Sequence, residues 1–196
     1  MPGALPTLVL ASASPRRREL LERLGFRFGV RPVKIDEGKG SGESAHAYVL
    51  RLAVEKARLV SAEIPKAIIL GADTAVVLNR EILGKPRDAA EAVHMLRKLA
   101  GRAHTVLTAI AVCGPIEDAT VVSTRVQFRT LLDEEIDWYV KTKEPFDKAG
   151  AYAIQGIGSF LVQGIEGSFS NVVGLPLAET LQMLGRAGMK FPWSLR

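Results

Sequence analysis

Residues 8–24 read Leu-Val-Leu-Ala-Ser-Ala-Ser-Pro-Arg-Arg-Arg-Glu-Leu-Leu-Glu-Arg-Leu, a strand that turns directly into a helix. Ser14 suits the N-cap and Pro15 the first helical position, and Leu20, Leu21 and Leu24 give the following turns an apolar face, so the helix starts at Pro15. The first turn of a helix carries roughly half a unit of positive charge, which disfavours Arg16, Arg17 and Arg18 there. Two readings follow. A phosphate held by free backbone N–H groups, the hydroxyls of Ser12 and Ser14 and one or two guanidinium forks removes the conflict. Alternatively, the turn is a solvated basic patch that costs only tenths of a kcal/mol.

The same alternation of strand and helix continues along the chain, without a repeat or linker that would divide its 196 residues. The reading is one α/β domain over 1–196 with a substantial core. With 47% hydrophobic and 24% charged residues, disordered and fibrous classes are excluded. The apolar stretches fall short of the roughly 20 residues needed to cross a bilayer, and no signal-peptide pattern opens the chain, so a cytoplasmic protein without a membrane partner is expected. Cys113 is the only cysteine, which excludes an internal disulfide and a thiolate zinc site. The net charge of +5 and pI near 9.5 favour an acidic ligand. Because Lys and Arg are spread without a basic tract, small phosphorylated molecules fit better than nucleic acid.

After a loop over 34–44 rich in Gly, Lys and acids, Ser44–Ala62 has a helical stripe of Ala45, Tyr48, Val49, Leu52, Ala53, Ala57 and Val60. Lys56 falls inside that stripe. It either snorkels over the core or points its charge into a cleft. Methionine suits such a stripe, so Lys56→Met is expected to keep or raise stability. Ala67–Leu78 is a buried strand interrupted by Asp73, whose burial unpaired costs several kcal/mol. A functional site explains it, and so does a carboxylate accepting backbone hydrogen bonds at a bulge near Gly71. Asn79-Arg80-Glu81 predicts a hairpin turn that carries Lys85 back towards the end of the sheet holding Asp73.

Asp88 and Glu91 have capping-box spacing for a helix through Leu99 closed by Gly101. His104–Cys113 and Thr120–Thr130 alternate as a strand pair, and Asp133–Lys143 and Pro176–Ala187 are helical. Ala151–Gly158 resembles a strand ending in a glycine bend, with Gln155 as its odd residue. His46, His94 and His104 lack metal-ligand spacing and are expected at the surface or on helices. There is no Walker-type loop and no dinucleotide fingerprint.

Taken in order, Ser12-Ala-Ser14-Pro-Arg16-Arg17-x-x-Leu-Leu, Asp36-Glu37, Leu52-Ala-x-x-Lys56-Ala, Gly71-Ala-Asp73-Thr74, Gly84-Lys85-Pro86 and Asp147-Lys148-Ala-Gly-Ala-Tyr152-x-Ile-Gln155-Gly resemble the Maf family of nucleotide pyrophosphatases over nearly the whole chain. The resemblance implies an inosine triphosphate pyrophosphatase-like α/β fold, a mixed elongated sheet flanked by helices with two lobes around a central cleft. It also implies hydrolysis of a nucleoside triphosphate to the monophosphate and pyrophosphate with a divalent metal, Mg²⁺ or Mn²⁺. The segment around Gln155 is similar to the branch that prefers dTTP and UTP. An amide accepts from N3–H of uracil or thymine while donating to O4, but a rotated amide pairs equally well with cytosine.

Under this resemblance Asp73 is the general base for water attacking the α-phosphorus, and Asp73 and Glu37 are the metal ligands. Lys56, Lys85 and Arg16 hold the triphosphate, with Ser12, Ser14 and Arg17 in the same anion site, and Thr74, Arg16 and Gln155 bear on substrate choice. The nucleotide is the expected partner, with a homodimer left open. Two competing readings are a non-catalytic nucleotide-binding regulator, suggested by the family's association with septum formation, and a weak nucleic-acid-binding module.

Overall fold

The apolar run Leu8–Leu10 forms strand β1, and its three residues are all buried because β1 has a parallel neighbour on each side, β2 (Phe28–Val30) and β3 (Ile68–Leu78). The computed structural model describes residues 7–194, so the ends of the 1–196 domain expected above lie outside the described residues. The described strands include β4 (Glu81–Leu83), β5 (Ala103–Cys113), β6 (Asp118–Phe128) and β7 (Val162–Glu166). They form one mixed sheet in the order β2-β1-β3-β5-β6-β7, with β4 paired to β3. The described residues fall into two compact units, one of 7–73, 108–122 and 174–194, the other of 74–107 and 123–173.

In the first unit, helix α1 (Pro15–Arg23) follows β1 and α2 (Ala45–Glu63) precedes β3. Both begin at a capping serine, Ser14 as expected and Ser44 one residue before the first helical residue Ala45. Ser14 accepts from Arg17 N at 3.5 Å and Ser44 from Ala47 N at 3.1 Å. The stripe of α2 buries Val49, Leu52, Ala53, Lys56, Ala57 and Val60. Backbone contact between α2 and β3 is close. A Cβ built on Gly71 would lie 2.3 Å from Ala53 O and 2.9 Å from Ala57 N, so only glycine admits the helix at this distance.

The second unit has its own core, including Val76, Leu96, Leu99, Val126, Phe128 and Tyr139. Helices α3 (Ala89–Leu99) and α4 (Asp133–Lys141) supply one face of it. The β3–β4 hairpin turns on Asn79 and Arg80, with φ of 50° and 71°, and Glu81 already belongs to β4. Asp88 caps α3 by accepting from Glu91 N at 2.8 Å, while Glu91 reaches back to Arg87 N at 2.7 Å, one residue earlier than a capping box would place it. Short helix α5 (Phe169–Val173) in this unit and strands β2 and β7 are additions to the sequence reading. The helix predicted over Pro176–Ala187 is α6 (Leu177–Arg186), in the first unit.

Two expectations are corrected in the second unit. Ala151–Gly158 is not a strand. Its residues form 3-10 turns and bends at Ala149–Ala151 and from Ile157 onward, because its backbone donors go to side chains rather than to a neighbouring strand. Ala153 N donates to Tyr139 Oη at 3.2 Å, and Ile157 N and Gly158 N donate to Glu144. His104 is neither on the surface nor in a helix. It is 3% exposed on β5 and shares a 2.8 Å hydrogen bond between Nε2 and Tyr152 Oη. Burial holds its pKa at about 4, below the ordinary 6.5.

Candidate active site

The strand-to-helix turn delivers its serines and one of its arginines into the first unit. Ser12 is buried, and its Oγ accepts from Ser14 N at 3.2 Å and from Arg17 Nη1 at 3.0 Å. Arg17 is 9% exposed. Its Nε donates to Gly174 O at 2.8 Å and its Nη1 to Ala72 O at 2.9 Å. Backbone carbonyls thus take up part of the fork that the sequence offers to a phosphate. Burial draws the Arg17 pKa below its ordinary value, Asp73 opposes that, Arg16 adds to it and Glu37 opposes it again. Arg18 leaves the turn altogether, pairing along the exposed helix with Glu22 at 2.7 Å.

Beyond Ala72, whose carbonyl Arg17 holds, the next residue of β3 is Asp73. Its Oδ1 accepts from Lys56 Nζ at 2.7 Å, and the same ammonium donates to Glu37 Oε1 at 2.8 Å. The three side chains differ in exposure, 10% for Lys56, 13% for Asp73 and 56% for Glu37. The cation inside the apolar stripe is therefore neither a snorkelling lysine nor a lone charge. It bridges two carboxylates, one sheltered and one open to water. The Asp73 side chain is accounted for by this ion pair, and the close approach at Gly71 brings α2 within reach to make it.

Glu37 comes from the 34–44 loop, and residues of α2 hold that loop in place. Tyr48 Oη donates to Glu37 O at 3.0 Å and Arg51 Nη2 to Gly38 O at 2.9 Å. Arg51 also binds Glu43 through Nε at 2.8 Å and Nη2 at 3.0 Å. The guanidinium, with the Gly40 N–H, holds the Glu43 carboxyl down to about 2. The Tyr48 hydroxyl is raised above its usual value, first by burial and then by the carboxylates of Asp73 and Glu37. Tyr48, Arg51 and Lys56 fall within two to three turns of one helix, so a single element sets the loop and the charge that Glu37 meets. Sequence reasoning did not assign Tyr48, Arg51 or Glu43 to the site. The usable signal was the Glu43–Arg51 pair flanking the start of α2.

Asp73 and Glu37 offer only oxygen donors. No cluster of three or more His, Cys, Asp or Glu able to hold a metal occurs among the described residues. A hard divalent ion that keeps most of its shell as water and phosphate oxygen needs only one or two carboxylates, so this pair fits Mg²⁺ better than a closed protein cage would.

The remaining predicted residues lie in the second unit. Thr74 follows Asp73 on β3 and is half-buried. Lys85 is exposed two residues after β4, beyond the Val76↔Leu83 pair that ends the hairpin ladder. Gln155 is half-buried in the bend between Tyr152 and Gly156. Arg16, in the first turn of α1, is half-buried. The structure thus brings Ser12, Arg17, Glu37, Lys56 and Asp73 together in one unit through hydrogen bonds and ion pairs and holds Thr74, Lys85 and Gln155 in the other.

A family model for Maf-like proteins matches residues 7–187. The chain is 59% identical over 186 residues to a Myxococcus xanthus protein named dTTP/UTP pyrophosphatase, with 95% of each chain covered. Proteins of the same name from Anaeromyxobacter sp. strain Fw109-5 and Escherichia coli K12 are 58% and 53% identical; the first covers 95% of this chain and 92% of its own, the second 92% of each. Among solved structures, a HAM1 protein from Coxiella burnetii aligns over 63% of this chain and 73% of its own at 19% identity, with a TM-score of 0.45. With a family match spanning both units and relatives more than half identical along nine-tenths of their length, the chain belongs to the Maf family.

Proposed function

We propose that this protein is a nucleoside triphosphate pyrophosphatase that hydrolyses dTTP and UTP to the monophosphate and pyrophosphate. The observation that carries the reaction class is the sheltered Asp73 carboxylate fixed by Lys56, which Glu37 shares from the solvent side. A site that merely held polyphosphate would gain nothing from carboxylates among its cations. The pyrimidine substrates are supported by the names of relatives at 53–59% identity. Those names also favour turnover over a non-catalytic regulator of division and over a nucleic-acid-binding module.

In this reading Asp73 accepts a proton from the water whose oxygen bonds to the α-phosphorus. The bond from that phosphorus to the bridging oxygen breaks, and pyrophosphate leaves. Lys56 orients Asp73 through Oδ1 and sets positive charge beside the site of attack. Ser12, Ser14 and the first turn of α1 supply donors for phosphate oxygens, and Arg16 adds a guanidinium. Arg17 contributes chiefly by holding Ser12 and the Ala72 carbonyl in register. The family resemblance adds Lys85 to the phosphate-holding set and Thr74 and Gln155 to substrate choice. Asp73 and Glu37 would hold Mg²⁺ or Mn²⁺, which when bound neutralises charge on the phosphate oxygens.

Asp73→Asn tests the mechanism. It keeps the shape and removes the base, so the variant should fold as the parent does and release pyrophosphate from UTP at least about a hundredfold more slowly. Near-normal turnover would overturn the assignment of Asp73.

A further inference from the structure

We infer that Glu144, far from the phosphate chemistry in sequence, is a positioning residue that sets base selectivity by fixing the bend that carries Gln155. This rests on the reading of Gln155 as the residue that meets the base edge.

The bend lacks a strand partner, so its backbone donors need other acceptors. Glu144 takes two of them, Oε1 from Ile157 N at 3.1 Å and Oε2 from Gly158 N at 2.8 Å. Tyr139, fully buried on α4, takes the third by accepting from Ala153 N at 3.2 Å, and its hydroxyl donates to the Glu144 carboxylate. Burial first, and that carboxylate second, hold the Tyr139 pKa above its ordinary value, so the hydroxyl keeps its proton. Gln155 lies between these anchors, two residues after Ala153 and two before Ile157. On the near side, Tyr152 is held in turn by His104.

Gly156 shows how tightly this arrangement is drawn. Its φ is +82°, and a Cβ built there would lie 2.3 Å from Glu144 Oε1. The carboxylate therefore occupies the space a side chain would need, and the residue after Gln155 has to be glycine. Glu144 is itself fixed, its N–H donating to Thr142 Oγ1 at 3.2 Å and its carbonyl accepting from Lys148 Nζ at 2.7 Å.

The consequence for selectivity comes from the chemistry of an amide. Gln155 in one orientation matches uracil and thymine and in the other matches cytosine. The two orientations differ by a half-turn of the amide, which exchanges O and N at nearly the same positions, so which one wins depends on the groups that the fixed bend sets beside the amide. Loosening the bend admits the second orientation. Glu144 thus discriminates between pyrimidines without touching them.

Glu144→Gln is nearly isosteric, but its amide nitrogen can no longer accept from one of the two backbone N–H groups and sets a donor against it. The test measures kcat/KM for UTP and CTP in the parent, Glu144→Gln, Gln155→Ala and the double variant. The UTP:CTP ratio should fall about tenfold in Glu144→Gln, through a higher KM for UTP more than a lower kcat. In the Gln155→Ala background, Glu144→Gln should change the ratio no further. A ratio that falls in Gln155→Ala but is unchanged in Glu144→Gln overturns the role of Glu144 and leaves Gln155 as the base reader. A ratio unchanged in Gln155→Ala overturns the base-reading role and this inference with it. An equal drop from Glu144→Gln in both backgrounds means Glu144 acts by another route, which also refutes the inference. Should Glu144→Gln fail to fold, Tyr139→Phe loosens the same bend at Ala153, and the same outcomes decide.

Discussion

Replacing Lys56 by methionine separates packing from electrostatics, because the new side chain fills the same apolar stripe and carries no charge. Considering the stripe alone, the substitution should keep or raise stability. The two carboxylates reverse the sign. Removing one partner of a buried ion pair costs about 3–5 kcal/mol, since the other charge stays behind. Only Asp73, 13% exposed, counts at that level, while Glu37 at 56% exposed rehydrates at little cost. Methionine regains part of the loss because it no longer buries an ammonium, leaving a net destabilisation of about 1–3 kcal/mol. Urea unfolding at neutral pH measures it. Adding Asp73→Asn removes the stranded charge, so the double variant should recover at least about 1 kcal/mol of that loss. Neither variant should recover hydrolysis, and Lys56→Met should release pyrophosphate from UTP about a hundredfold more slowly, equivalent to about 2.7 kcal/mol. Unchanged stability would refute the ion-pair argument, and intact turnover in a destabilised variant would reduce Lys56 to a structural role.

Other perturbations test different parts of the molecule. Gly71→Ala places a Cβ 2.3 Å from Ala53 O, so α2 must retreat from β3. The cost is about 1–3 kcal/mol, with a lower Tm and slower UTP hydrolysis, because Lys56 moves away from Asp73 with the helix. His104 is held at about 4 by burial, whereas the unfolded chain takes up its proton near 6.5. Stability is therefore lost as pH falls from about 6.5 to about 4, by on the order of 3 kcal/mol in full. The difference in unfolding free energy between the parent and His104→Gln should change across that window and be flat above pH 7. Gln155→Glu removes the donor to O4 and sets a carboxylate against two pyrimidine carbonyls, so the ratio of kcat/KM for CTP over UTP should rise while overall activity falls. A loss of the same factor for every nucleotide would retire Gln155 from base reading.

The features legible in the sequence are those whose cause is local. Ser14 and Pro15 start α1 by capping geometry, the spacing from Tyr48 to Val60 fixes which face of α2 is buried, and the interruption of β3 by one carboxylate marks Asp73. The same alternation that paired Val106 with the core also put His104 on the inward side of β5, two residues away, and that parity could have placed it. What misled was always a partner distant along the chain. The bend around Gln155 alternates like a strand, yet its N–H groups end on Tyr139 and Glu144, up to 14 residues earlier.

The basic turn at Arg16–Arg18 shows the same limit from the side of charge. An anion was one answer to three cations at a helix N-terminus, and a solvated patch was the other. Arg17 takes a third course. Its Nε and Nη1 are engaged by carbonyls 157 and 55 residues away, at Gly174 and Ala72, before any ligand is considered. That cation acts on the site through the backbone, because the Ala72 carbonyl it grips immediately precedes Asp73. The basic turn thus has two separable parts: a buried brace at Arg17 that keeps the carboxylate of β3 where Lys56 can hold it, and Ser12, Ser14 and Arg16, which the proposed function assigns to the phosphate.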